Sequence, residues 1–432
     1  MKKFIILAFL VCLTLPVFAG GTRQQRDGKT VLKVINYHVG TDFAADYFNY
    51  LFTEFVKTEA GKNVVFDFEE IPTTDAYNQK LRLLISSGDL PDIVLTGGNN
   101  YTELAVRSGK VVDLTPFFNA DPQWKNQFDP KSLEFNTVNG KIYGVPTSKE
   151  ISYFYYNKDL FRQAGLTPPA VAYETWEEFF NVCEIFKSKG ITPLGMDTAD
   201  FGWLTNLWFC ALIGTNGDAG NRWMNTMHPM NFNTPEVIAA AGHIQKMLAE
   251  YTTADAVGGN YDPMATHFFN GEVAMFPNGP WMVPDIRSPE KAPRGFYDRV
   301  GVMLMPKYGM EMVPTPGDMV GAKDPAKINA AVAFLKFQTS LENQLKALEM
   351  TGLQPESPLV VIPASLKQTD PLMAEVLEKS GKARITYGQN QAFWHQNVLD
   401  AFSLYLPELA NYKITPVEFC TRLTEAARRN IN

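Results

Sequence analysis

Reactive and metal-binding side chains are scarce in this chain, whose 432 residues include four cysteines and five histidines. The histidines, at positions 38, 228, 243, 267 and 395, do not have the spacing of a metal site. Neither a G-x-S-x-G nor an H-E-x-x-H motif occurs. We therefore predict no metal and no cofactor, and we find no standard hydrolase motif.

The cysteines are too far apart to form a disulfide framework or a zinc knuckle. Cys12 lies near the amino terminus, and Cys183, Cys210 and Cys420 are widely spaced along the rest of the chain. We expect the last three to be small buried apolar residues. Oxidation of one pair is an open alternative, because an exported protein meets an oxidising environment.

Basic tracts are missing as well, and the formal net charge is −7 at pH 7. An acidic chain without a basic cluster is not suited to bind nucleic acid or an anionic membrane. We predict neither of them as a partner.

Long apolar runs are absent after the amino terminus. There, an apolar run over residues 4–15 follows two lysines, and a small-x-small pattern ends at Ala19. This is typical of a signal peptide over residues 1–19, followed by a polar leader over residues 20–30. We expect an exported protein, in the periplasm or another extracytoplasmic compartment. A lipoprotein anchored at Cys12 is the alternative, which the bulky residues before that cysteine disfavour.

The length of the chain exceeds what one compact core usually holds and predicts two domains. Apolar strand patterns at residues 31–37, 64–68 and 93–95 alternate with helical patterns, which is typical of an α/β domain. Ligands of such domains gather at the carboxyl ends of the strands. The candidate ligand-facing residues at these ends are Tyr37, His38, Asp42 and Asn99.

The most informative stretch covers residues 140–161. It begins with G-K-I-Y-G-V-P, continues through a polar patch at residues 147–150, and then runs through aromatic residues to N-K-D-L-F. A polar patch between two apolar runs fits a segment that crosses between two lobes past a polar cleft. An ordinary hairpin with a polar turn is the alternative.

Other motifs follow later in the chain. Residues 271–282 read G-E-V-A-M-F-P-N-G-P-W-M, residues 318–325 precede a capped helix, and residues 389–394 read Q-N-Q-A-F-W. Together with residues 140–161, these motifs resemble the extracellular solute-binding proteins of ABC sugar importers, the group that includes maltose-binding protein. The similarity extends over most of the chain after residue 30.

This resemblance implies a fold and its boundaries. We expect an α/β periplasmic-binding-protein fold, with a ligand cleft between two lobes and extended hinge crossovers. Lobe one is expected at residues 31–148 plus 318–360, and lobe two at residues 152–312 plus 365–432.

The resemblance also implies ligand-binding residues, and sugar chemistry explains their types. The C–H faces of a sugar pack on flat aromatic rings, while its hydroxyls need hydrogen-bond donors and acceptors. Carboxylates accept hydroxyls in charge-assisted bonds. We predict stacking by Trp281, Trp394 and Trp203, carboxylate contacts by Glu150 and Asp200, and amide contacts by Gln389 and Asn390.

The function implied is a carbohydrate-binding subunit that captures a sugar and delivers it to an ABC permease in the membrane. We expect a monomer that is not an enzyme. An exported glycan-degrading enzyme is an alternative, with Glu150 and Asp200 as its pair of carboxylates. A receptor subunit that senses sugar is another. The sequence does not identify the sugar.

Overall fold

The computed structural model describes residues 25–26, 28–72, 74–96 and 101–429. The predicted signal peptide and the candidate Asn99 lie outside the described residues. Within these ranges, no helix is both long and apolar enough to cross a membrane.

Short strands supply the framework of the described chain, and one strand in the middle of the sequence is longer than all others. The strands are β1 (Gln25–Arg26), β2 (Lys29–Asn36), β3 (Val64–Glu70), β4 (Ile93–Val94), β5 (Thr137–Val138), β6 (Lys141–Ile142), β7 (Gly144–Val145), β8 (Ser148–Asn157), β9 (Thr192–Leu194), β10 (Val273–Asn278), β11 (Val300–Met303), β12 (Gly309–Pro314), β13 (Asp318–Val320), β14 (Gln354–Pro355) and β15 (Ile385–Tyr387).

Helices cover the faces of the sheets. They are α1 (Ala45–Phe55), α2 (Thr74–Ser87), α3 (Thr102–Ser108), α4 (Thr115–Ala120), α5 (Pro122–Lys125), α6 (Pro130–Phe135), α7 (Lys158–Ala164), α8 (Trp176–Ser188), α9 (Trp203–Gly214), α10 (Gly217–Met224), α11 (Pro235–Glu250), α12 (Tyr261–Phe269), α13 (Val283–Arg287), α14 (Phe296–Arg299), α15 (Pro325–Gln338), α16 (Leu341–Thr351), α17 (Leu366–Thr369), α18 (Pro371–Ser380), α19 (Asn390–Phe393), α20 (Gln396–Ala410) and α21 (Pro416–Arg428).

The first sheet and its helices form lobe one. Its strand order is β1-β2-β4-β13-β7, and β3 pairs with β2. The β2–β3 pairing is parallel, with Thr30 opposite Val64 at one end and Asn36 opposite Glu70 at the other. Parallel strands covered on both faces are apolar throughout, which accounts for the apolar run of β2. One continuous core joins this sheet to helices from the beginning of the chain and from α15.

The second sheet and its helices form lobe two, with strand order β15-β12-β8-β10-β9 and with β11 and β14 also paired to β8. Alternate residues of a strand point to opposite faces of its sheet. Accordingly, Phe154 and Tyr156 of β8 enter one core, while Tyr153 and Tyr155 enter the core on the other face. The aromatic run of β8 is therefore explained by burial on both faces.

The chain crosses between the lobes three times, from β7 to β8, from β12 to β13, and after α16. After α16, Leu353 still packs against the core of lobe one, whereas Leu366 belongs to a core of lobe two. Between them, β14 pairs with β8 at Gln354 and Lys149. The predicted residue boundaries of the lobes stay predictions.

A tight hairpin precedes the first crossing and explains the glycine at the start of this motif. Strands β5 and β6 pair directly across Asn139 and Gly140, whose φ angles are 51° and 75°. Two consecutive positive φ angles are typical of a type I′ turn, for which Asn-Gly is the preferred sequence.

The three cysteines of the described chain, Cys183, Cys210 and Cys420, are buried and unpaired. This agrees with the expectation that they pack as small apolar residues. The alternative of an oxidised pair is not what the structure contains.

Candidate functional site

A cavity of about 300 Å³ lies between the lobes, where the three crossings meet. Side chains from both lobes and from all crossings surround it. The lining residues are Tyr37, His38, Asp42, Phe43, Phe48, Leu95, Thr96, Thr147, Ser148, Glu150, Trp203, Trp281, Thr315, Pro316, Asp318, Leu353 and Gln391. A larger cavity of about 740 Å³ lies on lobe one alone, beside α1 and β3. We choose the cavity between the lobes because it combines both lobes, the hinges and several polar groups.

Six of the predicted ligand-facing residues come together in this cavity. They are Tyr37, His38, Asp42, Glu150, Trp203 and Trp281. The side chain of Asp200 and the whole of Asn99 lie outside the described residues, so their predicted contacts stay predictions.

Glu150 stands at the start of β8, directly after the first crossing, with Val313 of β12 opposite it. Burial raises the pKa of its carboxyl group to about 7. No hydrogen bond or ion pair of the carboxylate occurs within the described chain. The group therefore lines the cavity as a carboxyl without a partner, free to bind donors from a ligand.

A second glutamate, Glu311, lies behind Glu150 and was missed by sequence reasoning. It is fully buried and faces Ser152 across the β8–β12 pairing. Neither of its carboxylate oxygens has a hydrogen-bond partner among the described atoms. Burial, with the nearby Glu150 adding to it, raises the pKa of Glu311 well above its usual range. Burial therefore favours the neutral form of this carboxyl group over the ionised form. The only sequence signal was one charged residue in an otherwise apolar strand.

Asp318 also lines the cavity, at the start of β13 where the second crossing ends. One carboxylate oxygen accepts the Thr96 backbone N–H at 3.1 Å, and the other accepts the Gln338 amide at 3.1 Å. Burial raises the pKa of Asp318 to about 6. This carboxylate was not among the predicted ligand-facing residues, because residues 318–325 stood out in the sequence only as the lead-in to a capped helix.

On lobe one, His38 and Asp42 form a preformed pair after β2. Nδ1 of His38 lies 2.7 Å from Oδ1 of Asp42, which also accepts the Ala44 backbone N–H at 2.9 Å. The imidazole is stacked on Phe48, with ring centroids 4.0 Å apart. These contacts fix both side chains at the cavity wall.

The Tyr37 ring packs between its neighbours, 3.9 Å from the His38 ring and 4.6 Å from the Tyr77 ring, measured between centroids. Tyr37, His38 and Asp42 therefore lie where the sequence predicted them, after strand β2 and in the wall of the cavity.

Trp203 and Trp281 form the aromatic side of the cavity on lobe two. Their ring centroids are 6.2 Å apart, with an angle of 46° between the ring planes. Both rings are partly exposed. Such a pair presents two flat apolar faces with different orientations, which suits stacking against the C–H face of a sugar.

The glycine of N-G-P-W is required by the Trp281 ring. A Cβ atom on Gly279 would lie 2.2 Å from two atoms of that ring, so any larger residue would displace it. The neighbouring backbone is held by the Tyr155 hydroxyl, which donates to the Gly279 carbonyl at 2.8 Å. The motif therefore delivers one ring to the cavity from a fixed loop.

The prediction that Trp394 stacks against the ligand is wrong, because its side chain does not line the cavity. Its side chain is 4% exposed and belongs to a core of lobe two. Aromatic side chains surround it edge-on, namely Phe209, Trp223, Phe232 and Phe402. A ring enclosed in this way has no face left for a ligand.

The prediction that the amides of Gln389 and Asn390 contact the ligand is also wrong, because neither side chain lines the cavity. Both side chains are buried, and the Asn390 amide donates to Asn206 of α9. The amide that lines the cavity belongs to Gln391. Because α19 begins at Asn390, successive residues of this segment point in different directions, and only one of the three amides is turned toward the cavity.

Within the described chain, no group of three or more His, Cys, Asp and Glu side chains is arranged to hold a metal ion. The groups that line the cavity include aromatic faces, carboxyls, hydroxyls and an amide. These are groups that bind by stacking and hydrogen bonding.

Comparison with known sequences gives a family match. The model of the family described as bacterial extracellular solute-binding protein matches residues 44–345. A multiple sugar-binding protein of Streptococcus mutans is 26% identical over 285 residues, which cover 63% of this chain and 64% of that protein. A lactose-binding protein of Rhizobium radiobacter is 26% identical over 253 residues, covering 56% of this chain and 55% of that protein. The chain thus spans less than two thirds of the length of these curated relatives.

Solved structures resemble the fold over nearly the whole chain. A chitin oligosaccharide binding protein superposes with a TM-score of 0.80 at 23% identity, covering 93% of this chain and 98% of that one. A Streptococcus pneumoniae solute-binding protein in complex with the blood group A-trisaccharide has a TM-score of 0.75 at 20% identity, with coverages of 91% and 98%. The predicted two-lobe α/β fold is thereby confirmed.

Proposed function

Because this chain belongs to the bacterial extracellular solute-binding protein family, whose model matches residues 44–345, we propose that it is the carbohydrate-binding subunit of an ABC importer. It captures a sugar or oligosaccharide between its lobes and delivers it to a membrane permease. The resemblance that the sequence motifs indicated is confirmed by this match.

The observation that carries the proposal is the composition of the cavity between the lobes. Two tilted tryptophans, Trp203 and Trp281, face the same cavity as the carboxyl of Glu150. Tyr37 and the Gln391 amide add further polar groups to the lining. Flat apolar faces beside hydrogen-bonding groups match the two kinds of surface that a sugar presents.

The relatives support a sugar over another solute. The curated relatives are named as a multiple sugar-binding protein and a lactose-binding protein. A cavity of about 300 Å³ lies at the lower end of the range for small-molecule sites. It accommodates a small sugar or part of a longer one.

The partners and compartment follow from the family. Its members are extracellular proteins, and this chain is therefore expected to work outside the cytoplasm. Export through the signal peptide, action as a monomer and docking on a permease are parts of the same proposal.

The test is a thermal-shift screen of the purified protein against mono- and oligosaccharides, followed by calorimetry on the sugars that raise the melting temperature. A ligand that binds only the folded state raises its stability by mass action. We expect at least one sugar to do so and to bind Glu150→Gln more weakly. A protein that binds no sugar, or that releases shorter sugars from an oligosaccharide, would contradict the binding function, and the second result would favour the enzyme.

A further inference from the structure

The ionisable side chains that line the cavity between the lobes are mostly acidic. Among the described lining residues, the acidic ones are Asp42, Glu150 and Asp318, and His38 is the one that could carry positive charge. No lysine or arginine is among them. Glu311 adds a further carboxyl group directly behind the cavity wall.

Two of the three lining carboxylates already have partners from the protein. Asp42 is bonded to His38 and to a backbone N–H. Asp318 is bonded to a backbone N–H and to the Gln338 amide. Glu150 has no such partner within the described chain, so its carboxyl group can accept hydrogen bonds from a ligand.

Two lysines, one next to Glu150 in sequence and one that contacts the other lobe beside the cavity, are paired with other groups. Lys149, next to Glu150 on β8, points to the other side of the strand and lies 3.5 Å from Asp129. Lys291 lies 2.8 Å from Asp285 and donates to the backbone of Thr41. Neither of them neutralises Glu150.

The tryptophan rings that line the cavity can bind a positively charged group of a ligand. A cation close to the face of a tryptophan is attracted by the ring quadrupole. Trp203 and Trp281 face the same cavity as Glu150, so a protonated amine there would meet a carboxyl group and aromatic faces together.

On this basis, and resting on the proposed function, we propose that the cavity selects its sugar by charge. It binds an amine-bearing sugar more tightly than the neutral sugar with a hydroxyl at that position, and it rejects the sugar acid. The amine donates a charge-assisted hydrogen bond to Glu150. A sugar carboxylate would instead meet Asp42, Glu150 and Asp318, with no lysine or arginine among the described lining residues to pair with it.

The experiment measures affinities by calorimetry at pH 7 for matched sets of glucose, glucosamine and glucuronic acid, and of galactose, galactosamine and galacturonic acid. Each set is used as monosaccharides and as short oligosaccharides. We expect the amine to bind roughly tenfold more tightly than the neutral sugar of the same set, and the acid at least tenfold more weakly.

Substitutions of Glu150 then test whether this residue causes the difference in affinity between the amine and the neutral sugar. In Glu150→Gln the advantage of the amine should disappear, while Glu150→Asp should retain part of it because the charge remains. The control is Glu59→Gln, which makes the same change of a carboxyl to an amide in a side chain that is 86% exposed and outside the cavity lining. This control variant should keep the full difference in affinity between the amine and the neutral sugar. Melting temperatures establish that each variant is folded.

Two sets of results would overturn the proposal. Affinity for the acid equal to that for the neutral sugar would do so, and so would an amine that binds no better than the neutral sugar or not at all. Binding of the neutral sugars tests the proposed function separately. If they bind but the charge contrast is absent, the protein is a sugar-binding protein and the charge selection is wrong.

Discussion

Lys291 donates a hydrogen bond from Nζ to the backbone carbonyl of Thr41 at 3.2 Å, which links lobe two to lobe one beside the cavity. The same ammonium group lies 2.8 Å from Asp285. Asp285 and Lys291 belong to lobe two, whereas Thr41 immediately precedes Asp42 in the wall on lobe one. The lobes therefore touch through a polar contact near the ligand-facing groups.

Ligand binding should close the cleft. Within the described residues, three extended crossings join the lobes, and hinged lobes of this kind rotate as rigid bodies around a ligand, as the periplasmic binding proteins do. Small-angle X-ray scattering should give a smaller radius of gyration with saturating sugar than without it. An unchanged radius with a ligand of proven affinity would contradict hinge closure.

Removing the lobe-to-lobe contact should weaken binding slightly. Lys291→Ala loses the exposed contact to Thr41, which contributes about 0.5–1 kcal/mol, together with the ion pair to Asp285 within lobe two. We expect the sugar affinity to fall two- to fivefold, mainly through faster dissociation in stopped-flow measurements. Lys346→Ala, which removes an exposed lysine paired to Glu349 within α16, is the matched control and should leave the dissociation rate unchanged. Equal effects of both changes would mean that the contact does not hold the closed form.

Glu150 should make the unliganded protein less stable as the pH rises. Burial raises the pKa of its carboxyl group to about 7 in the folded state, from an unfolded value of 4.5. The folded state therefore holds this proton more tightly, and the associated stability is lost as the pH rises from about 4.5 to 7. Glu150→Gln removes this dependence. The difference in unfolding free energy between pH 5 and pH 8 should shrink by about 2 kcal/mol or less.

Chemical denaturation at a series of pH values measures that difference. Glu59→Gln is again the control, because its side chain is exposed. Parallel pH profiles for the wild type and Glu150→Gln would show that the carboxyl of Glu150 titrates normally in the folded protein.

We expect Trp281 to contribute to sugar binding and Trp394 to contribute to the stability of the fold. Trp281→Ala should weaken sugar binding at least tenfold, or about 1.4 kcal/mol, with little change in the stability of the unliganded protein. Trp394→Ala should cost roughly 3–5 kcal/mol of stability, because it leaves a hole in a packed aromatic core. Calorimetry and denaturant titration on both variants distinguish these outcomes. A severe loss of stability in Trp281→Ala, with normal binding by Trp281→Phe, would assign Trp281 to the core.

Much of the fold could be predicted from the sequence because the motifs have local causes. The Asn139-Gly140 pair requires a tight turn, and the aromatic run after Glu150 forms a strand buried on both faces. Gly279 is required beneath the Trp281 ring. Each of these constraints acts between residues close in sequence, so the sequence carries it directly.

The cavity was predicted less completely, because its lining depends on side-chain direction and on pairing between distant segments. Gln389 and Gln391 are two residues apart, yet the start of α19 buries one and turns the other to the cavity. Glu311 reaches Ser152 only through the register of β12 against β8. The pairing of β14 with β8 involves only two residues of β14 and leaves almost no local pattern in the sequence.

The central position of β8 has a consequence for how the chain folds. Its pairing partners β10, β11, β12 and β14 all come much later in the sequence. Such non-local pairing is slow to form, because a long loop must close before any contact is gained. During synthesis, β8 therefore emerges long before the strands that cover its edges. The lobe that contains it stays incomplete until most of the chain has been made, which leaves time for the polypeptide to cross a membrane before that lobe is assembled.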